Sequence, residues 1–166
     1  MRALIVIDMQ EITVGKNHAQ MFFYDTDLLS RINEKIKQTD DVEVYYIKNL
    51  MKPNLLNRLA PVQVYQGSPE GELVDGLSVV SNNIFEKYKP DAFSNKLFVK
   101  DLRSRNITEI EIVGVDGGGC VAYTALGAAK NGYAVTLNKK CIGTMFKKQE
   151  LKLRKKLERA GVSFQD

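Results

Sequence analysis

The chain has 166 residues, 44% hydrophobic and 27% charged, with a formal net charge of +4. That length suits one domain, 1–166, and the ordinary globular composition excludes disordered and fibrous architectures. The longest apolar run, Ala3-Leu4-Ile5-Val6-Ile7, closes at Asp8 with no small-residue cleavage site after it. It is far too short for a bilayer span and lacks the marks of a signal peptide, so a cytoplasmic protein is expected.

In chain order, residues 2–8 are continuous and β-branched rather than alternating, which reads as a fully buried strand. Leu28, Leu29, Ile32 and Ile36 share one helical face that begins near the capping cluster Asp25-Thr26-Asp27. Residues 42–48 read as a second strand. Residues 49–82, punctuated by Pro53, Pro61, Gly67, Pro69, Gly71 and Gly76, are the least regular part. Ile84–Lys87 is a short strand, and 94–103 reads as a helix burying Leu97, Phe98 and Leu102. Glu109–Val115 is a strand broken by Gly117-Gly118-Gly119, and 120–131 follows as an alanine-rich helix closed by Gly132. Residues 133–137 and 162–164 read as the last strands.

Between those two strands, 147–159 carries much of the positive charge, with Leu153, Leu157 and Ala160 at helical spacing and Leu151 on the flank. This is an amphipathic helix with a solvated basic face. No aromatic residues interleave to stack bases, so nucleic-acid binding ranks below plain exposure. Strands alternating with helices imply right-handed crossovers. The expected fold is therefore α/β, a three-layer α/β/α sandwich with a mainly parallel, Rossmann-like sheet of about six strands. Ligands of such sheets bind beyond the carboxyl ends of the strands, which directs attention to Asp8, Lys48-Asn49, Lys87 and the glycine turn before Cys120.

Asp8 ends an otherwise apolar strand, where a carboxylate either caps the next turn or works in the crevice. Cys120 opens a helix behind three glycines. Backbone N–H groups and the macrodipole at a helix N-terminus lower a thiol's pKa, and nearby N–H groups can serve as an oxyanion hole. The competing reading is a buried cysteine packed as a small hydrophobe. Cys141 has no such setting and reads as structural, and both cysteines are expected to be free thiols. A cation near Cys120 would stabilise its thiolate, and Lys87 and Lys89 both compete for that place. The single histidine, His18, excludes multi-histidine metal sites and leaves any Cys/His pair dependent on it. Gly117-Gly118-Gly119-Cys120-Val121-Ala122 also fits a dinucleotide-binding turn, but it falls late in the chain, and the next strand is followed by Asn138-Lys139-Lys140 rather than an acid.

Several segments together resemble the isochorismatase-like cysteine hydrolases, which include nicotinamidases and N-carbamoylsarcosine amidases. They are the opening strand through Asp8-Met9-Gln10, the glycine–acidic loop Gly67-Ser68-Pro69-Glu70-Gly71-Glu72-Leu73, and Lys87 four residues ahead of Asp91-Ala92-Phe93. They continue with Gly114-Val115-Asp116-Gly117-Gly118-Gly119-Cys120-Val121, Thr124-Ala125 and Asn131-Gly132-Tyr133. The resemblance implies a catalytic triad of Asp8, Lys87 and Cys120, choosing Lys87 over Lys89. It implies a cis Val115–Asp116 bond, an oxyanion hole from the N–H groups of Asp116 and Cys120, and a homo-oligomer.

Two departures bear on substrate. Thr13 stands where the family usually carries an aromatic, and Gly117-Gly118 replace the usual threonine–aspartate, a change that reads as a less constrained turn. Nicotinamidases carry an aspartate and histidines that bind a metal, and 49–66 holds no histidine. The expectation is a metal-independent, cofactor-free cysteine hydrolase of small non-peptide amides or related C–N bonds. It has a small-molecule substrate, and neither nucleic acid nor membrane is a partner. The alternative is a catalytically silent binding or regulatory protein on the same scaffold. The substrate pocket is expected from loops 11–24 and 49–70.

Overall fold

The computed structural model describes residues 1–16, 18–39, 41–54, 57–59 and 62–166; the Pro61 punctuation lies outside them. Among the described residues, six strands form one sheet: β1 (Arg2–Ile7), β2 (Val42–Asn49), β3 (Ile84–Lys87), β4 (Glu109–Val115), β5 (Ala134–Gly143) and β6 (Ser163–Gln165). All neighbours are parallel, in the order β3-β2-β1-β4-β5-β6. The helices are α1 (Glu11–Val14), α2 (Leu28–Lys37), α3 (Lys96–Ser104), α4 (Cys120–Lys130) and α5 (Lys147–Arg159).

Side-chain alternation sends Ala3, Ile5 and Ile7, with Tyr45, Ile47, Ile110 and Ile112, to the face covered by α3, α4 and α5 through Phe98, Leu102, Val121, Ala125, Leu153 and Leu157. Leu4, Val6, Val44, Tyr46 and Val113 go to the other face, against Leu28, Ile32 and Ile36 of α2. Cover on both faces is why β1 reads as an uninterrupted apolar run. The chain winds outward from β1 in two directions, so a crevice opens where strand order reverses, beyond the carboxyl ends of β1 and β4. At Gly114 a Cβ would collide with Ile7 O, so only glycine lets β4 approach β1 this closely.

Four sequence expectations need correction. Leu97 is 69% exposed. Residues 92–94 form a separate 3-10 turn, and α3 starts at Lys96 with the Asn95 side chain accepting from Leu97 N and Phe98 N. That cap leaves Leu97 on the outward first turn, and the buried face is Phe98 and Leu102 alone. Ala160 lies past the end of α5 and is exposed, so Leu153 and Leu157 carry that helix's apolar face. β5 continues to Gly143 rather than ending at 137, with a register irregularity against Ile112/Gly114. β6 pairs with it only at Thr136–Asn138, so the exposed Lys139 and Lys140 sit on an uncovered edge where charge is tolerated. The short helix α1 has no apolar period to announce it; Thr13 Oγ1 stitches it down by donating to Asp8 O at 2.6 Å and accepting from Gln10 N at 3.1 Å.

No helix among the described residues is long and apolar enough to cross a membrane. The basic residues of α5 are exposed, with Arg154 pairing with Glu158 and lying over the Phe164 ring.

Candidate active site

Asp8 follows β1 directly and takes a left-handed backbone conformation (φ 52°), which aspartate tolerates better than most residues. Lys87 ends β3, and Cys120 is the first residue of α4. Lys87 Nζ stands 2.9 Å from Asp8 Oδ2, 3.1 Å from Cys120 Sγ and 3.0 Å from Asn49 Oδ1. An ammonium has three N–H donors, so all three are engaged. It only donates, so the atom Asn49 presents to it must be the amide oxygen. The Lys87 side chain is 0% exposed and that of Asp8 6%.

Burial disfavours every charge here, and the neighbours decide which survive. Burial alone would lower the Lys87 pKa, but the Asp8 carboxylate and the Cys120 sulfur outweigh it and hold the amine above its ordinary 10.5, as an ammonium. Burial raises the Asp8 carboxyl above 3.8, with Lys87 opposing. Burial and the Asp8 charge push the Cys120 thiol up to about 12, against the pull of Lys87. The thiol therefore carries its proton at neutral pH. This reverses the expectation of a thiolate favoured by the helix N-terminus, because desolvation and the adjacent carboxylate outweigh the local dipole. One fixed cation supports one anion, and the movable proton is divided between Asp8 and Cys120. Asp8 Oδ1 is buried with no hydrogen-bond partner among the described residues, which leaves it free to accept.

The turn before Cys120 is held tightly. Asp116 Oδ1 accepts from Gly118 N at 2.7 Å and its Oδ2 from Met145 N at 2.5 Å. Asp116 O accepts from Gly119 N and Val121 N, and Gly117 N donates to Gly143 O. The Val115–Asp116 peptide is cis. A Cβ at Gly117 would collide with Thr144 Oγ1, and one at Gly118 with Phe146 O. The two glycines thus admit the close approach of residues 144–146, and the turn is constrained by tertiary contact rather than loosened. With the N–H groups of Gly117, Gly118, Gly119 and Val121 occupied, the glycines of this turn have no donor to offer a dinucleotide phosphate.

Cys120 lines two cavities. The inner one, about 280 Å³, is bounded by Asp8, Thr13 and apolar walls that include Ile12, Phe22, Val64 and Phe146. Tyr24 also lines it, and burial and Asp116 raise its phenol, which stays protonated. The outer cavity, about 350 Å³, is lined by Lys52, Asn54, Tyr88 and Lys89, with Asn49 and Met51 shared. Of the two lysine candidates, Lys87 meets the sulfur while Lys89 is exposed on the outer rim. His18 lines neither; its Nδ1 lies 3.1 Å from Ala19 O and its ring packs edge-on to Phe23. Cys141 is a free thiol buried in the α2 face core. Lys48 pairs with Glu72 and lines neither cavity.

No group of three or more His, Cys, Asp or Glu among the described residues could hold a metal ion. Two ammonium groups at the outer rim, Lys52 and Lys89, would also repel a divalent cation.

Asn49 was legible only as a strand end in the crevice. Its part depends on a lysine at the end of the neighbouring strand β3 and on Gln10, buried, whose Oε1 accepts from Asn49 N at 2.7 Å and whose Nε2 donates to Gly71 O at 2.8 Å. Asn49→Ala would leave one Lys87 N–H without its acceptor. It is expected to lower stability by about 1–3 kcal/mol, read as a fall in Tm; an unchanged Tm would assign that contact no weight.

The family model described as Isochorismatase domain matches residues 2–164. No curated protein matches the sequence. Among solved structures, PnC1 from L. infantum in complex with nicotinate superposes with TM-score 0.85 at 20% identity, over 100% of this chain and 92% of that one. The pyrazinamidase/nicotinamidase of Streptococcus mutans gives 0.84 at 18%, over 99% and 100%. N-carbamoylsarcosine amidase from Thermoplasma acidophilum gives 0.77 at 19%, over 99% and 95%. At these identities the likeness is one of fold.

Proposed function

Because the chain belongs to the isochorismatase family, we propose that it is a cysteine hydrolase cleaving a small non-peptide amide or related C–N bond through a thioester on Cys120. The observation that carries this reading is one buried ammonium within 3.1 Å of both a carboxylate and a sulfur that line one cavity.

Asp8 takes the thiol proton as Cys120 Sγ attacks the carbonyl carbon, so the site's net charge does not change during the step. Lys87 stays cationic and stabilises whichever partner is the anion. The N–H groups of Asp116 and Cys120, which the family resemblance assigns as the oxyanion hole, stabilise the oxyanion, while those of Gly117, Gly118, Gly119 and Val121 are occupied inside the turn. The C–N bond then breaks, and the leaving nitrogen receives the proton from Asp8. Water gives a proton to Asp8 and adds to the thioester carbon. The Cys120 sulfur leaves and regains the proton. A carboxyl whose pKa burial raises above its ordinary 3.8 is better suited to returning the proton it takes. A cytosolic setting and a homo-oligomer accompany this reading.

One observation favours a second reading, a silent small-molecule binder: the thiol pushed up to about 12 is a poor nucleophile unless Asp8 removes its proton. A hydrolysis screen over small amides separates the two, with Cys120→Ala as control. The expected result is turnover by the native protein and none by the variant. Full activity in Cys120→Ala would remove the mechanism, and ligand binding without turnover would favour the binder.

A further inference from the structure

The nucleophile stands between two cavities of opposite character. On the inner side the walls are largely apolar, and the charged groups beside Cys120 there are the carboxylates of Asp8 and Asp116. On the outer side the charged residues lining the cavity, among those described, are Lys52 and Lys89. Both are exposed, and neither has an ion pair among the described residues. Lys52 Nζ lies 5.8 Å from the centre of the ring of Tyr88, which lines the same cavity. Glu86 accepts the Tyr88 hydroxyl at 3.3 Å and does not line the cavity.

We propose that the outer cavity receives an anionic group of the substrate, so that the enzyme acts on small amides whose apolar part fills the inner cavity and whose carboxylate, or comparable oxyanion, lies between Lys52 and Lys89. This rests on the hydrolase reading and narrows its substrate class. Charge decides the orientation. An anion on the inner side would meet apolar walls and the Asp116 carboxylate, with the Asp8 charge already balanced by Lys87, whereas a concave site lined by one sign of charge concentrates counter-ions. Lys87 does not compete for the anion, because Asp8 already neutralises it. Lys89, unused by the triad, gains a part as a specificity-determining residue.

The test compares alkylation of Cys120 by iodoacetate and iodoacetamide, reagents of similar size that differ in charge, read by mass on the Cys120 peptide. The ratio of the two rates is expected to be about fivefold or more higher in the native protein than in the Lys52→Met/Lys89→Met variant. It should also fall in the native protein at about 0.5 M NaCl. Both lysines are exposed, so the variant should keep the native Tm. Equal ratios in the two proteins would overturn the proposal, as would a Cys120 reached by neither reagent. The hydrolase reading fails separately: hydrolysed amides with equal ratios leave the enzyme and remove the anion site. A lysine-dependent ratio with no hydrolysis leaves the anion site on a binding protein.

Discussion

Asp8→Asn is expected to lower amide hydrolysis by roughly 10²–10⁴-fold while making Cys120 react faster with iodoacetamide at neutral pH. The two readouts move in opposite directions because Asp8 does two things. In the proposed mechanism its carboxylate takes and returns the proton, which an amide cannot do. As a charge it helps push the thiol up to about 12, against the pull of Lys87. Once Asp8 is neutral, the Lys87 ammonium lacks its counter-ion and draws the thiolate into that place. Unfolding would also speed alkylation, but it would expose Cys141, which is only 5% exposed in the fold, so protection of Cys141 identifies an intact protein. The acid side of the kcat/KM profile follows with its sign: the proposed reaction needs Asp8 ionised, so activity is expected to be gained as pH rises through a carboxyl pKa held above 3.8 by burial. Asp8→Asn should lack that limb. Slower alkylation in an intact Asp8→Asn protein would contradict the shared-proton account.

Lys87→Met should cost about 3–5 kcal/mol of stability, a fall in Tm of roughly 10 °C or more for a chain of this size. The lost cation is 0% exposed and its removal strands the carboxylate of Asp8, 6% exposed, in a low-dielectric site. The pH dependence has a definite sign. A carboxyl with a raised folded-state pKa contributes stability below its unfolded value and loses it as pH rises through the folded value. The deficit of Lys87→Met should therefore be small in acid, where Asp8 takes up a proton, and grow as pH rises through the raised Asp8 pKa. In the native protein, Lys87 is held above 10.5, so its contribution is full below 10.5 and lost only as pH climbs through that raised value. Denaturant unfolding of both proteins at acidic and neutral pH measures this; equal stability at neutral pH would mean the pair does not hold the site together.

The parts of this site were readable one at a time. The apolar run ending at Asp8 announces β1, the short segment Ile84-Phe85-Glu86-Lys87 announces β3, and three glycines followed by an alanine-rich stretch announce the turn and helix at Cys120. Each is a local pattern, set by which side chains recur at the period of a strand or a helix. Local patterns also misled. Leu97 has helical spacing, yet the Asn95 cap turns it outward. Gly117-Gly118 look like freedom, yet Thr144 and Phe146 close on them.

The sequence alone determined the order of strands and helices, the burial of both sheet faces, and the strand-end positions of a carboxylate, an amine and a thiol. Spacing left Lys87 and Lys89 both open and the family resemblance chose Lys87; the tertiary structure supplied the reason, bringing Lys87 to the sulfur through the pairing of Ile7 with Ile47 and of Asn49 with Lys87. It alone recruited Asn49 and Gln10, set the thiol's protonation and divided the cavity in two. The reason is range. Periodicity is written in neighbouring residues, whereas charge states and cavities depend on distances and desolvation among groups far apart in the chain.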